Sequence, residues 1–212
     1  MSTRILLVDD HAVVRTGFRL LLTSNALFEI AAEAETGEQA YRLYVEHQPD
    51  VVIMDLAMPG QGGIETIKRI VARDKNARIL ALSAHEDISH PKRALQAGAL
   101  GYLSKRGAPE ALIDAVKQIA QGKRVLDPQI AQRMAMEQVH GAVSPVEQLS
   151  EREFAVFLHL AKGQSVQGIA QLLSLSPSTV GTHLYNIKQK LGINNQAEMT
   201  LIAVRGGLID GY

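Results

Sequence analysis

Five short, apolar, strand-like runs recur through the first half of the chain, at residues 5–8, 28–32 (interrupted by Glu29), 51–54, 79–82 and 100–103, with helical spacing filling the intervals. Runs without polar alternation mark strands buried on both faces, as in parallel sheets whose crossovers lay helices over each side. Val14, Phe18, Leu21 and Leu22, then Ala40, Leu43 and Tyr44, then Ile64, Ile67, Ile70 and Val71 each fall on one helical face. A last helix at 109–121 has Pro109 near its first turn and Gly122 as a stop. The alternation predicts an α/β fold, a doubly wound five-stranded parallel sheet closing near residue 122.

From residue 149 no strand pattern recurs. Four helical segments are predicted instead, at 151–161, 166–173, 178–191 and 196–205, with Gly163 and Ser174–Ser176 as turns. Ser176 before Pro177 reads as an N-cap followed by proline in the first turn. The intervening residues 123–147, which include His140 to Pro145, read as a linker carrying one short helix at 128–138. The expected organisation is therefore a domain at 1–122, a linker at 123–147 and a small all-α domain with a helix-turn-helix at 148–212. Absence of cysteine excludes disulfides and thiolate metal sites. Asp9 and Asp10 interrupt the only apolar stretch near the N-terminus, so neither a signal peptide nor a membrane span is read, and a cytoplasmic protein is expected.

Charged residues stand where apolar runs end: Asp9 and Asp10 after the first, Asp55 after the third, and Lys105 just beyond the fifth. In open α/β sheets, ligands bind in the crevice at those carboxyl ends. Three gathered carboxylates repel one another, so they imply a compensating cation, most simply Mg²⁺, and Lys105 adds a place for phosphate. Taken singly, Asp9 and Asp10 read more readily as helix caps, Asp55 could be a turn residue, and Tyr102 reads as readily as packing as a switch. Their co-occurrence at successive strand ends favours a site. His11, His85 and His90 share no ligand spacing and read as solvated or capping residues.

Residues 5–11, Met54 to Gly60, Leu82-Ser83-Ala84 and Gly98 to Lys105 resemble the motifs of a two-component receiver domain, which is flavodoxin-like. Leu149 to Glu153, Gly168-Ile169-Ala170, Ser176 to Val180, His183 and Lys190-Leu191-Gly192 resemble a LuxR-type helix-turn-helix. Together they are similar to the NarL/FixJ response regulators. The resemblance implies a phosphorylation-controlled, DNA-binding transcriptional regulator and not an enzyme, fed by a sensor histidine kinase. Asp55 would be the phosphoacceptor. Asp9, Asp10, Asp55 and the Ala57 backbone carbonyl would hold Mg²⁺, while Lys105 and Ser83 would meet the phosphoryl oxygens. Ala84 would leave the path open and Tyr102 would turn inward as the switch. Pro91 departs from the family pattern and predicts that the fourth helix starts at about His90 or later.

In the second domain the resemblance implies that residues 178–191 form the recognition helix, with Val180, Leu184, Ile187 and Leu191 inward. Thr182 and Tyr185 would meet base edges, with Asn186 beside them, while Ser178, Thr179, His183 and Lys188 would meet phosphates of double-stranded DNA. Family members often carry lysine where Gly181 stands, an acid where Gly168 stands and arginine where Gln196 stands. From residue 149 onward Arg152, Lys162, Lys188, Lys190 and Arg205 face Glu151, Glu153, Glu198 and Asp210, a slight basic excess. Weak DNA binding with a shallow salt slope is expected, making a homodimer of the phosphorylated form, through residues 196–205, more important. The same weak footprint motivates the alternative of a signalling adaptor whose helical domain binds protein. An aspartyl-phosphate hydrolase is disfavoured, since it would want a second acid two residues after Asp55, where Ala57 stands.

Overall fold

Six parallel strands form the sheet in the order β2-β1-β3-β4-β5-β6, with β1 at Thr3–Val8, β2 at Phe28–Ala34, β3 at Val51–Asp55, β4 at Ile79–Ser83, β5 at Gly101–Ser104 and β6 at Val125–Leu126. The computed structural model describes residues 2–58, 61–84, 89–140, 145–206 and 208–209. Pro59, Gly60, His85, Asp210 and the 141–144 part of the expected linker lie outside the described residues. Helices α1 (Ala12–Thr23), α2 (Gly37–His47), α3 (Gly62–Arg73), α4 (Ser89–Gln96) and α5 (Pro109–Ala120) connect the first five strands and follow the fifth. The apolar runs alternate between two buried faces. Ile5, Leu7, Val51, Ile53, Leu80 and Leu82 share a core with Leu22 of α1 and Leu112, Val116 and Ile119 of α5. Leu6, Val8, Val52 and Met54, of opposite parity, are also buried.

Besides shifts of one or two residues at the ends of the helices expected at 109–121, 128–138, 166–173 and 178–191, the sequence reading differs from this fold at two points. Strand β6 adds a sixth member beside β5, pairing Gly101 with Val125 and Tyr102 with Leu126; a two-residue strand has no period to read. Helix α4 begins at Ser89, one residue before the expected start, so Pro91 falls in its first turn, where the missing N–H has no helical partner to lose.

Two compact units divide the chain, the first reaching to Arg133 and the second running on from Met134. Helix α6 (Pro128–His140) spans that division. The second unit holds a 3-10 turn at Pro145–Gln148 and helices α7 (Glu151–Ala161), α8 (Val166–Leu172), α9 (Pro177–Leu191) and α10 (Gln196–Arg205). Polar N-caps start each of these four helices: Ser150, Ser165, Ser176 and Asn195 each accept from a backbone N–H one turn on. At α7, Glu153 also reaches back to the Ser150 N–H and completes a capping box. Helix α7 packs against α9 and α10 around Phe154, Phe157, Val180, Ile187 and Met199.

Candidate functional site

The strand order reverses between β1 and β3, and the crevice outside their carboxyl ends is where such sheets bind ligands. Val8 pairs with Met54 across this junction, which sets Asp9 and Asp55 side by side; Asp55 in turn pairs with Leu82, and Ser83 with Ser104. Register alone thus gathers Asp9, Asp10, Asp55, Ser83 and Lys105 at one rim. Asp9 and Asp55 are each only 1% exposed. Lys105 Nζ donates to Asp9 Oδ2 at 2.6 Å and lies 2.7 Å from Asp55 Oδ2. The second approach is a charge contact without hydrogen-bond alignment, for Asp55 Oδ2 accepts no hydrogen bond among the described residues. Asp55 Oδ1 accepts from the Ala57 N–H at 3.0 Å.

Burial pushes the Asp55 carboxyl above its ordinary range; Lys105 and the Ala57 N–H oppose that push without cancelling it, and nearby Asp9 adds to it. Lys105 is largely buried, which alone would favour its neutral form, yet Asp55 and Asp9 hold its pKa above the usual value. An isolated ion pair would draw its acid downward. Here two carboxylates share one ammonium, so the lysine stays charged and the carboxylates lack one positive charge. Asp10 Oδ1 is likewise buried without a hydrogen bond among the described residues. One ligand atom from each of Asp9, Asp10, His11 and Asp55 lies within 4.8 Å of the others. Orphaned oxygens, a missing cation and hard donors fit a divalent ion such as Mg²⁺.

Two other expected residues are wholly buried: Ser83 at the end of β4, and Tyr102 in β5 beside Ala81. Ala84 is exposed beyond the strand. Asp9 does not cap α1. Its Oδ1 accepts from the His11 N–H at 2.8 Å. His11 occupies the N-cap position without a side-chain cap, and its Nδ1 lies 2.9 Å from Asp10 Oδ1, so it belongs to the cluster the sequence reading left it out of. Gly63 also escaped that reading. A β-carbon there would stand 2.1 Å from the Asp55 carbonyl oxygen, so the loop leaving Asp55 closes only over glycine. The adjacent Gly62-Gly63 pair was the available signal.

In the second unit α9 presents a polar face. Val180 and Ile187 are fully buried, with Leu184 and Leu191 packed partly against the same core. Ser178, Thr179 and Thr182 are exposed, and Tyr185 is 64% exposed. Asn186 and Lys188 are half-buried; His183 is half-buried too, with Nδ1 inside and no hydrogen bond among the described residues. Lys190 is engaged elsewhere, at 2.5 Å from Glu153 Oε2. Burial alone would raise the Glu153 pKa, but Lys190 and the Ser150 backbone and hydroxyl hold it below the usual carboxylate value. Gln196, where the family often has arginine, donates to the Leu160 carbonyl at 2.7 Å, and Thr200 donates to that of Ala161 at 2.9 Å. Both answer orphan carbonyls at the end of α7.

A parallel sheet with an acidic notch at its switch point, followed by a helix-turn-helix unit, defines a phosphorylation-controlled transcriptional regulator. Residues 5–117 match the response regulator receiver domain, and residues 147–203 match the bacterial regulatory proteins of the luxR family. The chain belongs to the response regulators of the NarL/FixJ type. It is 38% identical over 209 residues to the response regulator GacA of Pseudomonas aeruginosa, covering 98% of each chain. It is 39% identical over 206 residues to the response regulator UvrY of Escherichia coli, covering 96% of this chain and 94% of the relative. A LuxR-family two-component response regulator from an Aurantimonas species superposes with a TM-score of 0.63 at 43% identity, covering 66% of this chain and 99% of that one. The adaptor alternative draws no support from these likenesses. Among the described residues, no helix is long and apolar enough to cross a membrane.

Proposed function

We propose that Asp55 accepts a phosphoryl group from the phosphohistidine of a sensor kinase, and that this controls binding of double-stranded DNA by α9. The observation that carries the reading is the buried Asp55 carboxylate, with one oxygen held by the Ala57 N–H and the other left without a hydrogen bond 2.7 Å from Lys105. Its oxygen would form the new bond to phosphorus in line as the bond to the kinase imidazole breaks, the departing electron pair staying on that nitrogen. Asp10, Asp55 and the Ala57 carbonyl, with Asp9 in support, would hold Mg²⁺, which neutralises charge on the group in transfer. Lys105 would exchange its carboxylate partners for phosphoryl oxygens, and the Ser83 hydroxyl would bond another. Ala84 leaves the approach open, and Tyr102 fills space behind Ser83.

Residues 1–122 would carry this chemistry, 148–212 the DNA contact and 123–147 the connection. Thr182 and Tyr185 would read base edges, with Asn186 beside them; Ser178, Thr179, His183 and Lys188 would grip phosphates. Phosphorylated copies would pair through α10, whose Leu201 and Val204 are exposed. Incubation with a small phosphodonor and Mg²⁺ tests the receiver half: the wild type should gain an acid-stable, base-labile phosphate that Asp55→Asn lacks. Persistence of the label in Asp55→Asn would refute the assignment.

A further inference from the structure

Asp9 donates its N–H to the Ala34 carbonyl at 3.1 Å, the last rung joining the β1 end to β2. Beyond that rung its carbonyl has no ladder partner among the described residues. Arg15, in the first turns of α1, supplies one: Nη1 donates to the Asp9 carbonyl at 2.7 Å. The same guanidinium is held in two further directions, by Nε on Glu33 Oε2 at 3.1 Å and Nη2 on Glu35 Oε1 at 2.6 Å. Arg19 lies on the other Glu33 oxygen at 3.3 Å. The Arg15 side chain is only 12% exposed, and a planar guanidinium fixed through all three nitrogens has little freedom left.

The carbonyl it grips belongs to the peptide linking Asp9 to Asp10. Because that peptide is planar, fixing its oxygen fixes the plane from which the Asp10 Cα departs. Asp10 Oδ1 is buried at the notch without a hydrogen bond among the described residues, with the exposed His11 ring, 2.9 Å away at Nδ1, as its neighbour. We infer that Arg15 is a positioning residue: through the Asp9 carbonyl it aims the Asp10 carboxylate into the notch, and Glu33 and Glu35 hold the arginine in place. The inference rests on the reading of the notch as a Mg²⁺-dependent phosphoacceptor. Arg15 touches neither metal nor phosphorus. It acts as partners of metal ligands do elsewhere, by orienting the ligand in advance.

A role confined to stability would lower the unfolding midpoint and leave metal affinity alone. The test is calorimetric titration of the full chain with Mg²⁺, followed by labelling from a small acyl-phosphate donor at rising Mg²⁺, for wild type, Arg15→Met, Arg15→Lys and Glu35→Gln. Arg15→Met should weaken Mg²⁺ binding about tenfold or more, with Arg15→Lys and Glu35→Gln in between, and saturating Mg²⁺ should bring labelling back to within about twofold of wild type. Mg²⁺ affinities of Arg15→Met and Glu35→Gln both within about twofold of wild type would overturn the inference, as would labelling that saturation fails to restore. Should Arg15→Met not fold, Glu35→Gln carries the test, because that side chain is 62% exposed. A wild type that binds no Mg²⁺ or takes no label would instead remove the phosphoacceptor reading itself.

Discussion

Replacing Gly181 with lysine should both stabilise the helical unit and deepen its hold on DNA, and the two effects separate cleanly. Gly181 lies inside α9, one turn after Ser178 and one turn before Tyr185, and a β-carbon there meets nothing within 4 Å. Glycine in a helix interior costs about 0.5–1 kcal/mol relative to alanine, and lysine ranks close to alanine. For a unit of roughly 60 residues that gain raises the midpoint by about 2–8 °C. A lysine on this face adds one cation where phosphates are proposed to lie. One more neutralised phosphate steepens the slope of log affinity against log salt by about 0.9, so affinity falls about 3.5-fold further between about 50 and 200 mM salt. Gly181→Ala is the control, with the same stabilisation and an unchanged slope. Thermal unfolding of the full chain followed by circular dichroism reads the first effect; fluorescence anisotropy on a labelled duplex across a salt series reads the second. A lysine variant that is stabilised but keeps the wild-type slope would refute the placement of DNA on this face, and a destabilised alanine variant would refute the open space beside Gly181.

Gly63→Ala should cost about 1–3 kcal/mol or more, since the added carbon meets backbone that cannot swing aside. It should also sharply reduce phosphate uptake at Asp55, and labelling at the wild-type rate would count against Gly63 as the residue that lets this loop close. Glu153 is held below its unfolded value of 4.5, so its contribution is complete above that pH and is lost as pH falls through the lower folded value. Acid unfolding should therefore show Glu153→Gln to be less stable at neutral pH and less sensitive to acidification; parallel pH profiles for variant and wild type would sink the claim. Thr182→Ala or Tyr185→Ala should alter sequence preference, while Lys188→Ala should weaken binding to every duplex alike. Equal losses on all sequences from the three changes would remove that division of labour.

Much of this molecule was legible because its strands are buried on both faces. An unbroken apolar run such as residues 51–54 has few other homes, and the acid that ends it falls at the rim where the strand must emerge. Helices 151–161 and 196–205 were read to the residue from their apolar spacing, and in the structure Ser150 and Asn195 cap them within one turn. Interactions joined across long sequence separations were not visible. Nothing local marks Arg15 as the partner of Asp9, Glu33 and Glu35 together. Gln196 looked like a missing basic residue until the α7 carbonyl it answers came into view. Strand β6 borrows its conformation from β5, which composition does not encode.

Lys105 stands between two acids before any phosphate arrives. The resting notch therefore carries an internal stand-in for part of the charge that signalling would bring, and signalling as proposed would transfer one ammonium from old clients to a new one. Since the lysine follows β5 directly, whatever draws it toward phosphorus would also tug the strand that carries Tyr102. Sensing and mechanical output would share a tether only three residues long.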